Sequence, residues 1–74
     1  MNLRRLHPDG SLSKSSLDYW RRQTTERILE SLRPGNLWAL KVKQNGIIMD
    51  GNTRTKILEE RGVATDSLSF ESYP

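Results

Sequence analysis

Asp50-Gly51-Asn52-Thr53-Arg54, with Lys56 two residues on, is the stretch of this chain whose residue types and spacing best suit chemistry. An apolar run, Ile47-Ile48-Met49, leads into it and a helical pattern follows it. A strand that turns at a glycine into a helix presents N–H groups that have no intrahelical acceptor. Together with the helix dipole these groups favour an anion. Gly51 lets a ligand approach the main chain, and Asn52 and Thr53 offer amide and hydroxyl groups. Arg54 adds a planar fork of donors, and Lys56 adds charge. The chemistry expected is capture of a phosphate. Asp50 would repel a bare phosphate, yet it suits a metal ion, a ribose hydroxyl or Arg54 itself. The plainer account of the same residues is a strand turning into a helix, with Asn52 acting only as the cap.

The elements that must hold this segment can be placed by pattern. Residues 1–13 read as an irregular N-terminal arm with a turn at His7-Pro8-Asp9-Gly10, and residues 14–74 as one small domain. Ser15 followed by Asp18 fits a capping-box start. Leu17, Trp20, Thr24, Ile28, Leu29 and Leu32 then mark one helical stripe. Gln23-Thr24-Thr25 is a weak point, so the pattern fits one bent helix or two short ones with Thr25 as the second cap. Arg33-Pro34-Gly35 ends the helical region.

Residues 37–43 and 47–50 alternate as strands, and Asn45-Gly46 between them predicts a two-residue type I′ hairpin. That loop sets Gln44 opposite Ile47, Lys43 opposite Ile48, Val42 opposite Met49 and Lys41 opposite Asp50. Leu40, Val42, Ile47 and Met49 would face the helices, with Trp38 on the same parity. Lys41, Lys43, Ile48 and Asp50 would share the other, basic face. A last helix over 53–61, capped by Asn52, would turn Ile57 and Leu58 inward and end at Gly62. The tail carries Val63, Leu68, Phe70 and Tyr73, and fits an edge strand or a segment lying across the core. The expected fold is α+β, with a short mixed or antiparallel sheet containing the 37–50 hairpin packed against helices.

The order of helix, Arg33-Pro34-Gly35, strand, Asn45-Gly46, Ile48-Met49-Asp50-Gly51-Asn52-Thr53-Arg54 and a helix ending Glu59-Glu60-Arg61-Gly62 resembles the ParB/sulfiredoxin superfamily. The resemblance covers residues 24–63. It implies that Gly51 and Arg54 take the positions of the family's Gly-x-x-Arg turn, which cradles nucleotide phosphates. The ligand it implies, if any, is a nucleotide, with or without magnesium, and its identity stays open. Asn52 stands where sulfiredoxins carry the catalytic cysteine, so their reductase chemistry is not expected. Chromosome-partitioning members usually have an acidic residue at that point and paired arginines, whereas this chain has Asn52 and a single arginine after Thr53. These 74 residues leave no room for their helix-turn-helix and dimerisation domains, so DNA clamping by this segment is not expected.

Composition narrows the remaining classes. There are 74 residues and no cysteine, which excludes disulfides, thiolate metal sites and cysteine nucleophiles. His7 is the single histidine, and no apolar run approaches the roughly 20 residues needed to span a bilayer. The cytoplasm is the default expectation for compartment. The net charge of +3 permits an anionic partner without requiring one.

Arg4, Arg5, Arg21 and Arg22, with Tyr19 and Trp20 beside them, would make a single-stranded nucleic-acid surface if they converged. The amphipathic pattern points instead to Trp20 in the core and solvated arginines. Three readings therefore stand. The first is a non-catalytic phosphate- or nucleotide-binding module using Gly51, Asn52, Thr53, Arg54 and Lys56, with Asp50, Lys41 and Lys43 as accessories. The second is a nucleic-acid-associated regulator. The third is an interaction module that completes a small core against another protein or a second copy of itself.

Overall fold

The computed structural model describes residues 3–6 and 12–73. Their order is β1 (Arg4–Arg5), α1 (Lys14–Arg21), α2 (Thr25–Ser31), β2 (Lys41–Val42), β3 (Ile47–Asp50), α3 (Asn52–Glu60), a 3-10 turn at Thr65–Ser67 and β4 (Glu71–Ser72). The fold is α+β. Its four strands make one mixed sheet in the order β1-β3-β2-β4. The central pair is antiparallel and each outer strand runs parallel to its neighbour.

The weak point at 23–25 divides the helical stripe into two short helices. Ser13, not Ser15, caps α1, its Oγ accepting from the Ser16 N–H at 3.4 Å. Thr24, not Thr25, caps α2, its Oγ1 accepting from the Arg27 N–H at 3.1 Å. In each case the cap is the residue whose backbone is still extended, so its hydroxyl can reach forward to the third helical amide. Ile28 and Leu32 from the helical region meet Leu40, Val42 and Ile48 from the hairpin and Ile57 and Leu58 from α3. With Ala39 they are the buried apolar core of the described residues, and Ile57 and Leu58 point inward as expected.

The hairpin differs from the two-residue form. Gly46 has φ +87°, but Asn45 does not have positive φ, so the type I′ geometry is ruled out. The Gly46 N–H donates to the Lys43 carbonyl and the Lys43 N–H to the Ile47 carbonyl, both at 2.9 Å. Residues 44–46 form a three-residue loop in which only the last needs positive φ. Asn45 Oδ1 accepts from the Ile47 N–H at 3.1 Å, which favours this form. Pairing shifts by one, so that Val42 faces Ile48. Because strand side chains alternate, the shift reverses the face of β3. Ile48 is buried, while Ile47 and Met49, expected inward, are only partly covered. Met49 is then the extra residue of a β-bulge, after which Lys41 faces Asp50 as expected.

Trp38 is also not in the core. Residues 36–39 close a turn through the Ala39 N–H to the Asn36 carbonyl at 3.1 Å, so alternation begins only after it. Ala39 and Leu40 are fully buried, while Trp38 is 58% exposed. Both chain ends close the sheet. Arg4 and Arg5, expected in an irregular arm, form β1, anchored by the Arg4 N–H to the Gly46 carbonyl at 2.8 Å. The expected turn at His7-Pro8-Asp9-Gly10 lies outside the described residues. The tail does both things expected of it: Val63, Leu68 and Phe70 pack on the core, and β4 pairs with β2.

Gly51, not Asn52, caps α3, with φ +107°. At the other end the Gly62 N–H donates to Glu59 and the Val63 N–H to Leu58, the hydrogen bonds of a Schellman motif. A Cβ at Gly51 would stand 2.9 Å from Leu40 Cδ1 and 3.2 Å from Leu32 Cδ2, inside the core. Gly51→Ala combines left-handed strain with overpacking and should cost about 3 kcal/mol. Gly62→Ala meets no atom within 4 Å and should cost about 1 kcal/mol. Urea unfolding checks both, and equal losses would show that Gly51 is not pressed against the core.

Candidate functional site

A recess of about 340 Å³ does lie over the start of α3, lined by Ser13, Ser16, Trp20 and residues 50–54 among others. The side chains expected to serve it are mostly turned inward. Asn52 is 8% exposed, and its amide is a structural tie. Its Oδ1 accepts from the Leu6 N–H at 2.8 Å and its Nδ2 donates to the Ile48 carbonyl at 3.0 Å. Thr53 and the exposed Asp50 carboxylate line the recess. Lys56 pairs with Glu60 at 3.0 Å, one turn further along α3. Lys41 lies between Asp50 and Glu71 on the neighbouring strands. Lys43 sits at the hairpin loop with Gln44, Asn45 and Tyr73. The fold thus gathers Asp50, Gly51, Asn52, Thr53 and Arg54, and disperses the three lysines.

Arg54 does something the sequence did not indicate. It is 7% exposed, and its Nη1 donates to Ser31 Oγ at 3.0 Å and to the Trp38 carbonyl at 2.7 Å. Ser31 Oγ in turn donates to the Ile28 carbonyl at 2.7 Å. The guanidinium carbon lies 5.1 Å from the centre of the Trp20 ring, within cation–π range. Burial lowers the Arg54 pKa, and the nearby Asp50 carboxylate opposes that shift. One side chain of α3 therefore ties together α1, α2 and the turn before β2.

Beside that brace is a larger hollow of about 640 Å³, lined by Trp20, Glu26, Arg27, Glu30, Ser31, Asn36, Leu37 and Trp38. Leu37 is 85% exposed. The sequence carried one signal for this surface. The turn-forming run Arg33-Pro34-Gly35 continues into Asn36, so that Leu37 and Trp38 belong to a loop and not to the strand.

The arginines of the nucleic-acid reading do not form an open patch with a free aromatic face. Arg5 pairs with Glu59, and Arg21 with Glu60 at 3.1 Å. Arg4 donates to the Asn45 carbonyl at 3.1 Å, and Arg22 is exposed at the C-cap of α1. Trp20 has Arg54 on its ring and the Tyr19 ring perpendicular to it at 5.0 Å. Arg61 reaches Thr25 Oγ1 and the carbonyls of Arg21 and Gln23, stitching the α1–α2 link to α3. Lys56 foremost, then Arg21, hold the Glu60 carboxyl below the usual glutamate range.

Among the described residues no three His, Asp or Glu side chains gather to hold a metal ion, and no helix is long and apolar enough to cross a membrane. No family model, no curated protein and no solved structure matches the chain.

Two expectations follow from these contacts. Arg54→Lys keeps the charge but loses the reach of Nη1, which alone joins Ser31 to Trp38, and the planar guanidinium on the Trp20 ring. It should destabilise the fold by about 2 kcal/mol in urea unfolding, with faster amide exchange at residues 36–39. Unchanged exchange there would remove the brace. Glu60 has a folded-state pKa below its unfolded value, so its pairing stabilises the fold above the unfolded value. That contribution is lost as pH falls through the folded one. Glu60→Gln should therefore flatten the fall in Tm on the acid side of the glutamate range, and parallel curves would exclude Glu60 as the titrating group.

Proposed function

We propose that this domain is a non-catalytic interaction module whose docking surface is the hollow beside Trp38. The observation that supports it is the position of Arg54. The buried guanidinium holds the Trp38 carbonyl at 2.7 Å, while Trp38 and Leu37 themselves stay largely exposed. A chain of this size has few large apolar side chains with which to close a core. Leaving one Trp and one Leu side by side on the surface, on a braced turn, is what an anchor for a partner requires. Tryptophan carries a large share of binding energy at interfaces. A turn already held in place also loses little freedom on docking.

A second reading keeps the phosphate seat over α3. The open recess at residues 50–54 favours it, as does the likeness of Gly51 and Arg54 to the ParB/sulfiredoxin turn. It must then rely on main-chain N–H groups and the Thr53, Ser13 and Ser16 hydroxyls, since Asn52 and Arg54 have internal partners. The nucleic-acid reading has less support, because Arg5 and Arg21 are paired with carboxylates.

The readings part in one titration, followed through backbone amide shifts of dilute protein. The uncharged apolar probe N-phenyl-1-naphthylamine should move the amides of residues 26–31 and 36–39, and Leu37→Ser with Trp38→Ser should abolish the response without changing Tm. ATP, CTP and inorganic phosphate should leave residues 51–55 still. The opposite pattern would restore the phosphate seat and remove the docking surface.

A further inference from the structure

We infer that the occupant of the hollow is a second copy of this chain, joined through a two-fold axis beside α2. The inference rests on the docking reading and adds the identity of the partner. A two-fold interface uses the same patch on both copies, so the patch must be its own complement. The rim of the hollow meets that condition. Glu26, Arg27 and Glu30 all line it from α2, and all three are exposed.

Arg27 and Glu30 are three residues apart and so lie on neighbouring positions of one helix face. When two copies of α2 lie antiparallel about the middle of that pair, Arg27 of each faces Glu30 of the other. Opposite charges then meet twice, from one pair of residues. Glu30 already touches Arg33 at 3.2 Å, but both side chains are well exposed. Such a surface pair contributes little and can be exchanged readily.

The apolar part fits the same arrangement. Leu37 and Trp38 project at the lip of a hollow of about 640 Å³, a size that ordinarily admits a drug-sized molecule. The Leu37 and Trp38 side chains of a second copy can enter it, while its own receive the first. The mixed signs of the rim argue against a uniformly basic or acidic partner, since either Arg27 or the two glutamates would then face a like charge.

Sedimentation equilibrium of the full chain over a wide concentration range tests this. Wild type should show a monomer–dimer equilibrium, and Trp38→Ala should weaken it at least about tenfold, as truncation of a central interface tryptophan does. Arg27→Glu should weaken it too, and adding Glu30→Arg to that variant should restore it, because the swapped pair again meets its opposite. Far-UV circular dichroism verifies that α2 persists in each variant. Protein that stays monomeric throughout, or a swap that fails to restore association, overturns the inference. Probe binding in the hollow of such a monomer would leave the docking surface standing, whereas loss of both would remove it as well.

Discussion

The Arg54 guanidinium is the one group on which the arrangement of this small domain turns. It leaves water, which costs a cation heavily unless acceptors and a polarisable face replace the solvent. Ser31, the Trp38 carbonyl and the Trp20 ring supply them from three separate segments. Because each partner comes from a different element, the guanidinium is satisfied only when α1, α2 and the turn before β2 stand in one relative position. A long apolar side chain could fill the same volume without dictating that geometry. The residue at the centre of the suspected anion site is thereby a fastener of the fold, and the surface it fastens carries the exposed Leu37 and Trp38.

The rest of the molecule compensates for a small core by using its ends and its hydrogen-bonding side chains. β1 and β4 are two residues each, and they flank a central hairpin that could not stand alone. The Asn52 amide joins the first of them to β3, replacing a missing ladder contact with a side-chain bridge. Glu71 donates its N–H to the Leu40 carbonyl, and its carboxylate accepts from the Gly35 N–H at 2.6 Å, so the tail also secures the turn after α2. Arg5, Arg21, Lys56 and Arg61 gather on the far end of α3. There the cations are taken up in ion pairs with Glu59 and Glu60 and in joints to the α1–α2 link, while Arg22, Arg27 and Arg33 stay exposed.

Much of this was legible in the residues. The spacing from Leu17 to Leu32, the weak step at 23–25, the stop at Arg33-Pro34-Gly35 and the inward Ile57 and Leu58 all follow from helical periodicity and local backbone chemistry. Such signals act within a few residues, where chain connectivity alone brings groups together. The hairpin was placed correctly, but its register was not. Asn45-Gly46 serves two loop forms equally well, and the choice between them moved Ile48 to the core and turned Met49 into a bulge. The cap of α3 was misplaced by one residue for a similar reason. Asn52 is a good cap by type, yet its amide is more useful bridging Leu6 and Ile48.

By itself, then, the sequence determined the α+β class, the helices, the position of the hairpin and the turn from Asp50 to Arg54. It did not determine where the polar groups of that turn point. Arg54 reaches Trp38 across 16 residues and Ser31 across 23, and Asn52 reaches Leu6 across 46. No local pattern encodes such a pairing. Only the packed structure brings a carbonyl, a hydroxyl and an indole to one guanidinium, and only there does Arg54 become a brace while a supposed core tryptophan becomes surface.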